Sequence, residues 1–166
     1  MTSGAGILPI AKYNGKYYML CGINGKGELT DLGGKISYKG ELSFVCATRE
    51  FYEETAGSYM EYNKLYTDLR LIRKVYIGFG YVSYIVLSHY DPKVEMRYAD
   101  MLQHVMENNI RSKDVDTTKY KFTKYKTYYP KGFFEMRALK WIPINELINN
   151  KIGNRLKRIL YIIKII

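Results

Sequence analysis

Three glutamates, Glu50, Glu53 and Glu54, stand at i, i+3 and i+4 within Arg49-Glu50-Phe51-Tyr52-Glu53-Glu54. In a helix that spacing puts the three carboxylates on one face. Like charges so placed destabilise a helix by about 0.2–0.5 kcal/mol per pair. A hard divalent cation reverses this cost, because Mg²⁺ and Mn²⁺ prefer carboxylate oxygens. Metal-ion chemistry is one reading, and a solvated acidic face is the other that three glutamates alone leave open. The helix itself is predicted from its neighbours. Ser43 is a suitable N-cap, and no Gly or Pro follows until Gly57, a C-terminal stop about four turns later. Phe44, Thr48, Phe51 and Thr55 recur at helical spacing and predict the face turned to the core.

The surrounding stretch, Gly33 to Gly57, resembles the Nudix box: Gly, five residues, Glu, seven residues, then Arg-Glu-apolar-x-Glu-Glu-x-Gly. Glu41 lies seven residues before Arg49, and Arg49 to Glu54 matches at every specified position. There are two departures. Six residues, not five, separate Gly34 from Glu41, and Ala56 takes the place of the last Gly, which comes one later as Gly57. The displaced glycine predicts a helix longer by one residue. Leu32-Gly33-Gly34 stands where the family has Pro-Gly-Gly, and the two glycines let the backbone turn tightly and approach a phosphate.

The resemblance implies an α+β Nudix fold, a mixed β-sheet sandwiched between helices, with the box as loop, helix and loop. It implies hydrolysis of a diphosphate linked to another moiety, with two or more Mg²⁺ or Mn²⁺ ions bridging carboxylates and phosphate oxygens. Glu50, Glu53 and Glu54 are then metal ligands, with Glu41 a fourth. Arg49 orients the carboxylates, and Gly33, Gly34 and Lys35 face the phosphates. Trp141-Ile142-Pro143-Ile144-Asn145-Glu146-Leu147 looks like the family's late strand-to-helix segment. Glu135, a few residues earlier, matches the glutamate that often supplies a further ligand or the general base. The base is Glu53 or Glu135.

With 166 residues the chain reads as one domain with room for a real core. Cys21 and Cys46 belong to no spaced pair, and His89 and His104 are too few for a zinc site. Cys46, inside the predicted helix, reads as packing rather than nucleophile. The start lacks a charged n-region and an apolar h-region, and no apolar run reaches the length of a membrane span. A reduced intracellular, cytoplasmic protein is expected, in the host cytoplasm if the source is viral.

Gly6 to Ile10 and Tyr17 to Gly22 read as strands around the hairpin signal Asn14-Gly15. A Gly-rich loop, Ile23 to Leu29, leads to Thr30–Ile36 and the box. Tyr59 to Tyr66 has no clear pattern. Leu69 to Ile77 and Tyr81 to Leu87 read as adjacent strands, and Val94 to Ile110 as a helix. From Ile144 to Ile166 apolar and basic residues alternate at helical spacing. Leu147, Ile148, Ile152, Leu156, Ile159, Leu160 and Ile163 form one side, and Lys151, Arg155, Lys157 and Arg158 lie elsewhere. That segment suits core packing, a homodimer contact or a membrane-surface helix, and Gly153 argues against one unbroken helix.

The net charge of +10 is unevenly spread. Residues 1–116 hold 14 Lys+Arg against 14 Asp+Glu, whereas residues 117–166 hold 12 against two, Glu135 and Glu146. A one-sided basic excess suits a polyanionic partner, or simple solubility. Within it, residues 119–131 interleave Lys119, Lys121, Lys124, Lys126 and Lys131 with Tyr120, Phe122, Tyr125, Tyr128 and Tyr129. Lysines can meet phosphates while rings stack on bases, so RNA is the expected partner. An edge strand guarded by lysines is the alternative. Among diphosphate substrates the 5′ cap of RNA uses both features best. A resemblance to the mRNA-decapping Nudix enzymes of large DNA viruses extends to their basic character. Diphosphoinositol polyphosphates, dinucleoside polyphosphates and ADP-ribose are alternatives, as is a Nudix-fold RNA-binding module without catalysis, against which the intact Arg-Glu-x-x-Glu-Glu core speaks.

Overall fold

The structure, a computed structural model, describes residues 2–78, 80–108 and 135–165, with side chains omitted at 105–108. The Lys/Tyr stretch at 119–131 therefore lies outside the described residues.

Strands β1 (Gly4–Tyr13) and β2 (Lys16–Asn24) form a hairpin. Asn14 and Gly15 take φ of 47° and 76°, the two positive values that a two-residue turn matched to strand twist requires. The expected Gly-rich loop ends in two short strands, β3 (Leu29–Thr30) and β4 (Leu32–Lys35). Helix α1 (Ser43–Glu54) follows, then a 3₁₀ turn (Tyr62–Lys64) and the single turn α2 (Leu65–Asp68) in the stretch without a clear pattern. Strands β5 (Arg70–Ile77) and β6 (Tyr81–Leu87) and helix α3 (Val94–Asn108) fall where residue type and apolar spacing put them. Strand β7 (Met136–Pro143) runs into a 3₁₀ segment (Ile144–Asn149), and α4 (Asn154–Ile162) closes the fold. The C-terminal segment is thus broken at Gly153, the residue that caps α4.

Three local expectations are corrected. Ser43 does not cap α1. Leu42 occupies the cap position with no side-chain bond, and the Ser43 hydroxyl is instead paired with the Tyr84 hydroxyl at 2.7 Å. The helix is not lengthened by the displaced glycine, because it ends at Glu54 and both Ala56 (φ 48°) and Gly57 (φ 65°) turn left-handed behind it. Gly33 and Gly34 do not form a tight turn. They are strand residues of β4, paired with Gly6 and Ala5 of β1.

The sheet is mixed, in the order β3-β2-β1-β6-β5, with β4 also on β1 and β7 also on β2. β1 and β6 are parallel, and the other pairs are antiparallel. One edge of β1 is divided between two partners: Gly4–Ile7 bonds β4, while Ile10–Tyr13 bonds β2. β2 and β4 therefore part company, and the opening between them becomes the cleft described below. Alternation along the strands supplies two cores. Ala5, Ile7, Leu20, Val82 and Tyr84 pack with Cys46, Ala47 and Phe51 of α1 and Tyr98 of α3. Leu8, Met19, Cys21 and Ile85 pack on the opposite face with Leu147, Leu156, Ile159 and Leu160. The apolar side of α4 is thus largely spent within the chain, whereas Ile148 stays exposed.

The expected inner face of α1 is the observed one: Thr48, Phe51 and Thr55 are buried and Phe44 packs against the core. Phe51 is the largest fully buried side chain that α1 contributes to this core. Its replacement by Ala should cost about 3–5 kcal/mol, as for other fully buried aromatics, read from urea unfolding. A loss below about 1 kcal/mol would mean that α1 is anchored some other way.

Candidate functional site

The box positions its charges through Arg49. Its Nε donates to Glu41 Oε1 at 2.9 Å and its Nη1 to Glu50 Oε1 at 2.6 Å. Its Nη2 donates to Glu41 Oε2 at 3.2 Å and to the carbonyl of Lys35 at 3.0 Å. Glu53 Oε1 lies 3.8 Å from Nη1. One guanidinium thus gathers three carboxylates and ties α1 to the end of β4. The fork geometry of Arg makes this possible where a point charge would not. The extra residue between Gly34 and Glu41 is taken up in a turn at Tyr38–Glu41, where Gly40 adopts φ of 92°. Glu41 is returned to Arg49, and its Oε2 also accepts from the Ser37 N–H at 2.7 Å.

Glu54 lies deeper. It is 1% exposed, and its Oε2 accepts from the Gly33 N–H at 2.6 Å. The neighbouring glycine has a steric reason of its own: a Cβ on Gly34 would collide with the Glu50 carboxylate. The Gly-Gly pair lets β4 lie against the acidic face of α1. That face was expected to stand apart from the core, yet Glu53 and Glu54 are buried on it. Lys35 ends β4 with its side chain exposed. Glu135 is an exposed residue in the turn before β7 and lines the same cleft as Glu54 and Gly33. This cleft, about 330 Å³ in volume, also meets Asn24, Glu28, Thr30, Met136 and the first residues of α4.

Burial pushes the Glu54 carboxyl well above the usual carboxylate range. Arg155 opposes the rise, and Asp31, Glu50 and Glu135 add to it. Burial likewise raises Glu50, and Arg49 offsets only part of this. Burial also acts on Glu41, but bonds from Arg49 and the Ser37 N–H outweigh it and hold that carboxyl low. Cys46 is buried beside Arg49, and burial lifts its thiol to about 11, which fits packing rather than nucleophilic chemistry.

Among the described residues no three acidic, His or Cys side chains are drawn close enough to enclose a metal ion. The donor chemistry nevertheless fits one. Glu50 and Glu54, with Glu135 near both, are hard oxygen donors whose mutual repulsion in a low-dielectric setting a cation would relieve.

Sequence reasoning missed Asp31, Tyr81 and Arg155. Asp31 is fully buried, and its Oδ1 accepts from Arg155 Nε at 2.6 Å while its Oδ2 accepts from the Tyr81 hydroxyl at 2.7 Å. Arg155 Nη2 donates to the Gly33 carbonyl at 2.6 Å, and its guanidinium lies 4.6 Å from the Tyr81 ring centre. Arg155 was grouped with Lys151, Lys157 and Arg158 away from the apolar side; the structure instead brings it to the box. No spacing in the sequence signals an ion pair across 124 residues.

No family model matches the sequence, and no curated protein matches it. Solved structures do match. C. elegans Ap4A hydrolase, as a binary complex, aligns over 99% of this chain and 96% of its own, with a TM-score of 0.54 and 14% identity. A Nudix hydrolase from M. smegmatis, RenU, aligns over 98% and 87% (TM-score 0.50, 13% identity). The Nudix domain of Shewanella oneidensis NrtR, complexed with ADP ribose, aligns over 99% and 87% (0.50, 10%). The chain has the Nudix fold. At such identities the likeness speaks for the fold alone. Within that fold the stretch that resembles the Nudix box occupies β4, the following loop and α1.

The raised carboxyl of Glu54 has a consequence for stability. A group that keeps its proton longer folded than unfolded penalises the folded state as pH rises through its unfolded value, near 4.5. Glu54→Gln retains an acceptor for the Gly33 N–H and removes the penalty. Without metal, the variant should melt higher than the parent at pH 7, each kcal/mol appearing as about 2–4 °C. The gap should close below the ordinary carboxylate range. Mg²⁺ or Mn²⁺ should then raise the melting temperature of the parent and leave the variant unmoved. A metal-free variant less stable than the parent at pH 7 would contradict this account.

Proposed function

We propose that the chain is a Mg²⁺- or Mn²⁺-dependent Nudix pyrophosphohydrolase acting on a nucleoside diphosphate linked to a further moiety. The observation that carries this reading is the grouping of Glu41, Glu50 and Glu53 around Arg49, with Glu54 and Glu135 at one cleft beside them. Such a set has little value for folding, since like charges brought together in partial burial cost free energy unless a cation joins them.

Glu50, Glu53 and Glu54 would hold the metal, with Glu41 as a further ligand. Metal ions there would neutralise phosphate charge and lower the pKa of an attacking water. Arg49 sets the carboxylate orientations before substrate arrives, so little reorganisation is left for the reaction itself. Glu53 or Glu135 takes the proton from the water. Lys35, exposed at the end of β4, is available to a phosphate at the rim, with the Gly33–Gly34 backbone behind it.

For the attached moiety we favour the 5′ cap of RNA. The support is the concentration of positive charge in residues 117–166 and the alternation of Lys with aromatic residues at 119–131. The cleft is open, so a diphosphate could enter while the rest of a long polyanion ran outside it. An Ap4A hydrolase and an ADP-ribose complex among the structural neighbours keep a small-nucleotide substrate as the second reading.

A hydrolysis screen with Mg²⁺ and Mn²⁺ over capped RNA, inositol pyrophosphates and free nucleotides tests the class. Turnover should stop in excess EDTA and in Glu54→Gln. If Glu135 is the base, Glu135→Gln should lower kcat about 10²–10⁴-fold with little change in metal affinity. A wild-type rate in that variant gives the role to Glu53.

The RNA reading has a separate test. Binding of single-stranded RNA should weaken with salt at a slope of about −0.7 in log–log form per phosphate neutralised. Replacing Lys119, Lys121, Lys124 and Lys126 by Ala should flatten the slope and leave cleavage of a free cap dinucleotide nearly untouched. Tyr120→Ala with Tyr125→Ala should weaken binding at nearly unchanged slope, because stacking releases few ions. Unaltered binding and cleavage of long capped RNA by the lysine variant would move the small-nucleotide reading ahead.

A further inference from the structure

The cleft beside the box has two chemically different walls. Glu28, Glu54 and Glu135 are its anionic lining residues, and Arg155 is the one cation among the described residues that line it. Arg155 is not a loose surface charge. Asp31 takes its Nε, the Gly33 and Asp31 carbonyls take its Nη2, and the Tyr81 ring lies under the guanidinium. These contacts fix the plane of the fork and leave Nη1 with no hydrogen-bond partner among the described residues. Asp31 is itself held by the Tyr81 hydroxyl, so the clamp is rigid from behind.

The backbone beside Arg155 adds to the same wall. Gly153, Asn154 and Arg155 line the cleft, and they are the first turn of α4. No side chain caps that helix and no acidic residue stands in its first turn. Its N-terminal partial positive charge lies beside the guanidinium, an arrangement that attracts anions, while the Glu28 carboxylate stands at the Gly153 end of the turn.

We infer that Arg155 and the N-terminal turn of α4 form a phosphate seat facing Glu54 and Glu135, and that one phosphate of a diphosphate substrate binds there. The inference rests on the pyrophosphohydrolase reading and adds to it a substrate-binding residue that no box motif contains. A diphosphate placed between the walls meets Arg155 on one side and the carboxylates that would hold metal on the other. Asp31 and Tyr81 are positioning residues: they fix the fork that the phosphate contacts. The planar donor fork favours a phosphate over a spherical anion such as chloride.

The test uses the full chain with methylenediphosphonate, whose P–C–P link resists hydrolysis, titrated calorimetrically in Mg²⁺. Arg155→Gln should weaken its binding about 10–100-fold, the range for a bond to a charged group. Because Gln strands the buried Asp31, Arg155→Lys and Asn154→Asp serve as companions. Lys keeps the charge without the fork and should bind more weakly than Arg yet more tightly than Gln. Asn154 is exposed, and an Asp there suits the helix dipole, so the fold should be as stable as the parent or more so. Its charge opposes the phosphate, and binding should fall about two- to fivefold. KM for any hydrolysed diphosphate should rise in parallel, with kcat changed less.

A merely structural role for this corner predicts the reverse for Asn154→Asp: unchanged or tighter binding with a higher melting temperature. That result, or parent-like affinity in Arg155→Lys and Arg155→Gln together, overturns the seat. Mn²⁺ affinity without phosphonate should stay at the parent value in Asn154→Asp, and an equal loss of both would place the effect on the metal side and overturn it too. If the parent hydrolyses no diphosphate but binds methylenediphosphonate through Arg155, the hydrolase reading falls while the seat stands. If it hydrolyses a diphosphate and the variants bind and turn over as the parent does, the seat alone falls.

Discussion

The Arg49 guanidinium is the constraint on which the site depends. Three carboxylates from α1 and its preceding loop are brought near one another, and without a shared cation their repulsion and desolvation would favour their separation. Arg49 bonds Glu41 and Glu50 directly and stands 3.8 Å from Glu53. It also reaches the Lys35 carbonyl, so the charge group and the strand beside it are one unit. The charge group is held together by hydrogen bonds within the chain itself.

That unit is set into a fold that provides the opening. β1 shares one edge between β4 and β2, and the two partners must diverge. The gap admits Glu54 from below, Glu135 from the start of β7 and Arg155 from α4. Close approach is allowed where side chains are absent: a Cβ on Gly33 or Gly34 would strike Tyr81 and Gly6 or the Glu50 carboxylate. The glycines of the box serve here by lacking bulk, and neither needs a positive φ.

A second anchor ties the rear of the site. Asp31 is buried with Arg155 and Tyr81, three residues drawn from the β3–β4 junction, β6 and α4. An ion pair in which one partner is fully buried is rarely a net source of stability, because desolvation offsets much of the attraction. Its effect is on geometry. It holds α4 against β4 at Gly33, the residue whose N–H also meets Glu54. One residue of β4 thus contacts both the acidic wall and the basic wall of the cleft.

What the sequence determined by itself was local and periodic. The spacing of Glu50, Glu53 and Glu54 puts them on one side of any helix, and the positions of Phe44, Thr48, Phe51 and Thr55 decide which side faces inward. The Asn14-Gly15 pair demands its turn, and runs of β-branched and aromatic residues predict β5 and β6. These features rest on the backbone's own repeat and need no partner. Helix ends were less legible. Ser43 was diverted by the Tyr84 hydroxyl, a contact from a distant strand, and Ala56 accepted a left-handed conformation that its own type disfavours. Only tertiary structure decided the depth of Glu54, the place of Glu135 and the fate of Arg155. Each follows from elements far apart in the chain meeting at one gap in the sheet. Composition can register that the last third is basic, but it cannot say which of those cations a buried aspartate will draw inward.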